Sequence, residues 1–132
     1  MSGRSYCFAG LLLLGAPPYS CHKPTLQESY ADAKHCSSVY SAGLKLIDGA
    51  AFAQAQLDPR LVEDAKNNSV SAAYVDGKQL GMSADAIGKD LDRSRAAYLA
   101  SHTGGLDAAQ KMASLRADMN NCLGDYYGRP ND

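Results

Sequence analysis

The most constraining feature of this 132-residue chain is a helical repeat close to its C-terminal end. Between residues 108 and 126, apolar side chains recur at alternating intervals of four and three, which places them on one face of an α-helix. A short amphipathic helix is marginal in water and gains its stability from packing. The repeat therefore predicts a helix packed against other helices, with a buried face formed by Ala108, Met112, Leu115, Met119, Cys122 and Tyr126.

Three earlier segments carry similar repeats, separated by residues that start or stop helices. Asp58-Pro59 and Ser83 are typical helix starts, and Leu80-Gly81 and Thr103-Gly104-Gly105 are typical helix ends. Asn67, Asn68 and Gly77 are poor helix formers and predict a bent or short second helix. We predict four helices, near residues 26–55, 58–80, 83–102 and 106–126.

Each of the first three predicted helices has its own apolar face. Short connections between amphipathic helices favour antiparallel neighbours. The predicted fold is therefore all-α, a small up-down-up-down four-helix bundle. The three faces consist of Cys36, Tyr40, Gly43, Ile47 and Ala50; of Leu61, Ala65, Ala72 and Val75; and of Ile87, Leu91, Ser94 and Tyr98.

The N-terminal segment has the composition of an export signal. Residues 1–20 carry one positive charge, Arg4, and no acid, with an apolar stretch from Tyr6 to Ala16 followed by turn-forming residues. This order is typical of a secretory signal, and the stretch is shorter than the roughly 20 residues that span a bilayer. We expect a signal peptide at 1–20, a tether at 21–27 and the bundle domain at 28–132, with the protein in the periplasm. A short buried N-terminal segment of a cytosolic protein is the alternative.

The cysteines predict one disulfide within the bundle. Cys7 would leave with the signal, and the three that remain, Cys21, Cys36 and Cys122, are an odd number for an exported protein. In the antiparallel bundle Cys36 and Cys122 lie at similar heights, since about 18 and 16 residues separate them from the opposite end at 1.5 Å per residue. A Cys36–Cys122 disulfide would contribute on the order of 4 kcal/mol to stability. The alternatives for Cys21 are that it stays free, that it pairs with Cys36 in place of Cys122, or that it is modified.

The first 21 residues resemble the signal region of bacterial exported lipoproteins. The resemblance lies in the positive start, the leucine-rich core and the small residue Ser20 directly before Cys21, whereas Pro18 stands where that class has a Leu-like residue. It implies that Cys21 is the lipid-modified first residue of a mature protein anchored to the membrane and facing the periplasm. The resemblance does not extend beyond residue 21.

The remaining sequence favours binding over catalysis. The net charge of −1 and the mixed signs along the chain do not fit a nucleic-acid-binding protein. No metal, haem, nucleophile or phosphate motif is present, so we predict no catalytic residue, no cofactor and no metal ligand. The charged run at 89–95 is interpreted as surface ion pairs, and His35 as a solvated neighbour of a structural Cys36.

The expected function is protein–protein interaction in the bacterial envelope. An accessory subunit of a membrane complex and an inhibitor or immunity protein both fit a small exported bundle. The alternative is a carrier of an apolar small ligand in the bundle core, because small residues along helix faces can leave a cavity. An exposed apolar face would favour the first function, and a closed apolar cavity would favour the second.

Overall fold

The helices and strands follow one another in a simple order. The computed structural model describes residues 6–9, 19–105 and 107–127, with side chains at 23–105 and 107–124. The described part is predominantly helical, as the repeats predict, and adds a short antiparallel ladder that the all-α prediction does not include. Its elements are β1 (Tyr6–Ala9), β2 (Tyr19–His22), α1 (Leu26–Leu46), α2 (Gly49–Gln54), α3 (Pro59–Gln79), α4 (Ala84–Ser101) and α5 (Ala108–Tyr127).

Local capping explains most of the helix boundaries. Thr25 forms a capping box with Glu28, so that each side chain accepts a hydrogen bond from the backbone N–H of the other residue. Asp58 and Ser83 cap α3 and α4 as predicted. Gly81 adopts φ +83° directly after α3, a conformation that glycine allows without strain.

The first predicted helix is divided in two. A single helix to residue 55 was expected, but α1 ends at Leu46 and α2 begins at Gly49. Asp48 caps the new helix, because its side chain accepts a hydrogen bond at 2.7 Å from the backbone N–H of Ala51. The described part of the chain therefore contains five helices where the sequence predicted four.

The buried face of α3 differs from the predicted one. Of the four residues Leu61, Ala65, Ala72 and Val75, only Ala65 is buried. The face that packs is made of Val62, Ala65, Ala73 and Gly77. Gly77 does not shorten α3, because the helix continues to Gln79 and the glycine lies at a close helix contact.

Helix α1 is the central element of the described bundle. It packs against α3, α4 and α5. Helix α1 is antiparallel to α3 and α5, because residues near the start of α1 contact residues near the end of those helices. It is parallel to α4, because the residue numbers of the contacting pairs increase together along both helices. The joined pairs are Ser29 with Asp76, Cys36 with Cys122 and Gly43 with Met119 for the antiparallel pairs, and Tyr30 with Asp90 and Ser38 with Ser94 for the parallel pair.

Two apolar clusters stabilise this arrangement. The small cluster joins α1, α3 and α4 through Tyr30, Ala33, Ala73, Ile87 and Leu91. The large cluster joins α1, α2, α3 and α5, and its buried members are Cys36, Val39, Tyr40, Ala42, Ile47, Phe52, Val62, Ala65, Leu115, Met119, Cys122 and Leu123.

The N-terminal segment lies only partly within the described residues. β1 falls inside the predicted signal, and residues 1–5 and 10–18 of that signal lie outside the described residues. β2 ends at His22 and α1 begins at Leu26, so most of the predicted tether 21–27 belongs to these two elements. None of the helices in the described ranges has the length and apolar character needed to cross a membrane.

Candidate functional site

The residues predicted to form a disulfide lie side by side. Cys36 on α1 and Cys122 on α5 are both nearly buried, their sulfur atoms are at disulfide distance, and their Cα atoms are 5.6 Å apart. They lie in the large cluster, where they link the first and last helices. Cys21, the predicted lipidation site, lies in β2, and its acylation stays a prediction.

Two histidine rings contact Tyr98 of α4, one from His35 on α1 and one from His102, the residue that follows α4. The His102 ring stacks on the Tyr98 ring with centroids 4.0 Å apart, and the exposed His35 ring meets its edge at 5.8 Å. The Tyr98 hydroxyl donates to Asp118 at 2.6 Å. Burial, together with this bond, raises the pKa of Tyr98 above its ordinary value.

The His102 ring also contacts the end of α4 through Nδ1. This atom lies 2.9 Å from the carbonyl oxygen of Tyr98 and 2.9 Å from the hydroxyl oxygen of Ser101. The arrangement holds α4, α1 and α5 together through Tyr98, which gives it a structural role.

A second cluster of polar side chains is centred on Asp90, in the N-terminal half of α4. Lys34 donates to its carboxylate at 2.9 Å, and the Tyr30 hydroxyl donates at 2.8 Å. Arg93 lies farther away, at 3.6 Å. The sequence indicated an ion pair between Asp90 and Arg93, which is the longest of these three contacts. The shorter contacts of Asp90 are with Lys34 and Tyr30 of α1.

These contacts shift two pKa values in opposite directions. The hydrogen bond from Lys34, followed by that from Tyr30, lowers the pKa of Asp90. Burial and the bond to Asp90 raise the pKa of Tyr30 to about 12. In the folded protein these contacts favour a charged Asp90 and a protonated Tyr30. The cluster is therefore a polar link between α1 and α4.

Asp90→Asn should lower the free energy of unfolding near pH 7 by about 1–2 kcal/mol, because it removes charge-assisted hydrogen bonds from a side chain that is 22% exposed. The folded-state pKa of Asp90 is depressed, so its contribution is present above the unfolded-state value of about 3.9. It is lost as the pH falls through the lower folded-state value. Urea unfolding of both proteins from pH 7 down to pH 3 should show the difference shrinking below about pH 4.

Asp92→Asn is the matched control for this prediction. Asp92 lies on the same helix, is 78% exposed, and pairs with Arg95 at the longer distance of 3.7 Å. Its replacement should leave stability nearly unchanged at every pH. Equal effects of the two substitutions would contradict the role assigned to the Asp90 cluster.

A depression of about 740 Å³ lies along the outer side of α4 and opens to solvent. Five of its seven lining residues are charged, and two ion pairs lie among them, Lys89 with Asp85 at 2.9 Å and Arg93 with Asp90 at 3.6 Å. Because the depression is open, it is not the closed cavity that a carrier of an apolar ligand would offer.

The exposed side of α3 has a different character. Leu61 and Val75 remain 48% and 51% exposed, the two large apolar side chains of the described residues that do so. They are 14 residues apart, which places them about 40° from each other around the helix and about 21 Å apart along it. With three exposed uncharged residues they form the α3 outer face, defined as Leu61, Asn68, Ala72, Val75 and Gln79.

Sequence reasoning missed this face because it assigned Leu61, Ala72 and Val75 to the core. The spacing that identified them as a helix face was correct, but helical spacing alone does not show which of two neighbouring faces is covered. Val62, one position after Leu61, packs on α1 and is fully buried. The sequence does carry two sets of apolar residues on different faces of α3, which indicates that one of the two faces is exposed.

No set of three or more potential metal-ligating side chains occurs among the residues that the structure describes. No protein-family model, characterised protein or solved structure matches this chain.

Proposed function

We propose that this protein works in the bacterial envelope by binding another protein, and that the α3 outer face receives one helix of that partner. The protein is an accessory subunit of a membrane complex or an inhibitor, exported by the signal-like segment at 1–20. In this proposal the four long helices form an up-down-up-down bundle that presents α3. The observation that carries the proposal is the exposure of Leu61 and Val75 on one side of a well-packed helix.

The spacing along this face suits a helical partner. The exposed residues 61, 68, 72, 75 and 79 follow intervals of seven, four, three and four, while Ala65, between the first two, is fully buried and does not belong to the exposed face. Intervals of four and three are those of a seam between two helices packed at a shallow angle. The exposed members of the seam are uncharged over about 27 Å, and Asn68 within it would set the register of the partner.

The two clusters of polar side chains, around Asp90 and Tyr98, also favour a partner at the α3 outer face, because their polar groups are hydrogen-bonded within the bundle. Asp90, Tyr98 and Asp118 make short hydrogen bonds within the bundle. Their geometry links helices to one another. The α3 outer face, in contrast, offers apolar area of the kind that a partner covers.

A photo-crosslinking amino acid placed in turn at positions 61 and 75 tests the proposal in cells that produce the protein. Both positions should crosslink to one partner protein, with the linked peptides lying along one continuous helix of that partner. The same probe at Ala97, an exposed position on α4, is the matched control and should give no such product. Crosslinks from position 97 to the same partner, or crosslinks only to a second copy of this chain, would contradict the proposal.

Leu61→Asp and Val75→Asp should abolish the crosslinked complex when combined, without unfolding the protein. Burial of each side chain in the complex is worth about 1.5–3 kcal/mol, so the pair should weaken binding by at least 100-fold. An exposed substitution changes stability by about 0.5 kcal/mol or less. Co-purification measures the complex and thermal unfolding measures stability, with Ala97→Asp as the control that keeps both unchanged.

A further inference from the structure

The β1–β2 ladder places two cysteines directly opposite each other. In an antiparallel pair, opposite residues share one face of the ladder and their Cα atoms lie about 4.5–5.5 Å apart. A disulfide spans Cα separations of about 4.4–6.8 Å. The register pairs Tyr6 with His22, Cys7 with Cys21, Phe8 with Ser20 and Ala9 with Tyr19.

The other two cysteines lie next to each other and far along the chain from Cys7 and Cys21. Cys36 lies at disulfide distance from Cys122, within the large cluster. A bond from Cys21 to Cys36, one of the options that the sequence left open, would break that arrangement. In a chain that retains residues 1–20, Cys7 and Cys21 are then the two remaining cysteines, and the total of four is even.

We propose that Cys7 and Cys21 form a second disulfide, which closes residues 7–21 into a covalent hairpin in the chain that retains residues 1–20. The bond forms by thiol–disulfide exchange with glutathione disulfide or an oxidising protein disulfide. One cysteine thiolate attacks the oxidant and forms a mixed disulfide, and the second thiolate then displaces the oxidant's sulfur. The two cysteines lose two protons and two electrons, and the oxidant becomes a dithiol or two thiols.

This hairpin and acylation of Cys21 exclude each other. Acylation consumes the Cys21 thiol and accompanies the removal of residues 1–20, including Cys7. The disulfide instead keeps the apolar run joined to the rest of the chain and withholds the thiol. The inference concerns the N-terminal hairpin alone and does not depend on the α3 outer face.

Peptide mapping of the full chain tests the proposal, because the tryptic pattern separates the possible bonds. Trypsin does not cut before proline, so Lys23-Pro24 stays intact and one peptide, 5–34, contains both Cys7 and Cys21. Cys36 falls in peptide 35–45 and Cys122 in peptide 117–132. The chain is produced with residues 1–20 retained, refolded in a buffer of reduced and oxidised glutathione, and alkylated before digestion without reduction.

Peptide 5–34 should appear two hydrogen atoms lighter than its reduced form and without alkylation, while 35–45 is joined to 117–132. Two alkylated cysteines in peptide 5–34, or a bond from that peptide to 35–45, would overturn the proposal. Cys7→Ser should expose one alkylatable thiol at Cys21 and leave the 35–45 linkage unchanged. Cys21→Ser should do the same at Cys7, and failure of either variant to expose a thiol would place the bond elsewhere.

Discussion

Replacing Cys36 and Cys122 together by alanine should lower the free energy of unfolding by about 4–5 kcal/mol. A bond between them closes a loop of 86 residues, and removing it restores that conformational freedom to the unfolded chain. For a domain whose total stability is about 5–15 kcal/mol, this is a large share. Urea unfolding followed by circular dichroism measures the change.

A reducing agent provides the control for this prediction. In a chain that also carries Cys7→Ser and Cys21→Ser, reduction should destabilise the protein with Cys36 and Cys122 by a similar amount. It should leave the double alanine variant unchanged, because no cysteine remains there to be bonded. A double variant as stable as the oxidised wild-type protein would show that the two cysteines are not bonded.

Gly77→Val should destabilise the protein by about 2–3 kcal/mol. A Cβ at residue 77 would lie 2.7 Å from two side-chain carbons of Ile87 and 3.2 Å from the Tyr30 ring. Overpacking of this kind costs about 1–3 kcal/mol, and the two further methyl groups of valine add to the overlap. The gain in helix propensity over glycine is only a few tenths of a kcal/mol, so the clash decides the sign.

Gly49→Val is the matched control, because a Cβ there meets nothing within 4 Å. It should change the free energy of unfolding by much less than Gly77→Val. Combining Gly77→Val with Ile87→Ala removes the carbons that clash, so the double variant should be more stable than the sum of the two single losses indicates. Simple additivity of the two losses would contradict a direct contact between residues 77 and 87.

Helix starts and ends were predictable because they depend on short-range chemistry. Asp58-Pro59, Ser83 and Gly81 act within a few residues of their own position, and the structure confirms all three. The break after Leu46 was missed because Asp48 can serve equally as a helix cap or as an exposed residue within a helix. The apolar pattern continues across it, so periodicity alone did not show the break.

Contacts between helices were harder to predict, since they depend on which faces meet. The partners of Asp90 lie 56 and 60 residues away on α1, and within α4 only Arg93 was visible as a partner. The same reason explains the error at α3, where Leu61 and Val75 were placed in the core. Cys36 and Cys122 were the exception, because equal heights in an antiparallel bundle relate two distant positions directly.

The link between α1 and α5 also determines how the molecule responds to mechanical tension. With Cys36 and Cys122 bonded, a pulling force applied to residues before 36 and after 122 passes through the covalent bond and bypasses the chain between them. Helices α2, α3 and α4 lie within that closed loop, so such tension would not extend them. The α3 outer face would keep its shape even when the termini of the protein are pulled apart.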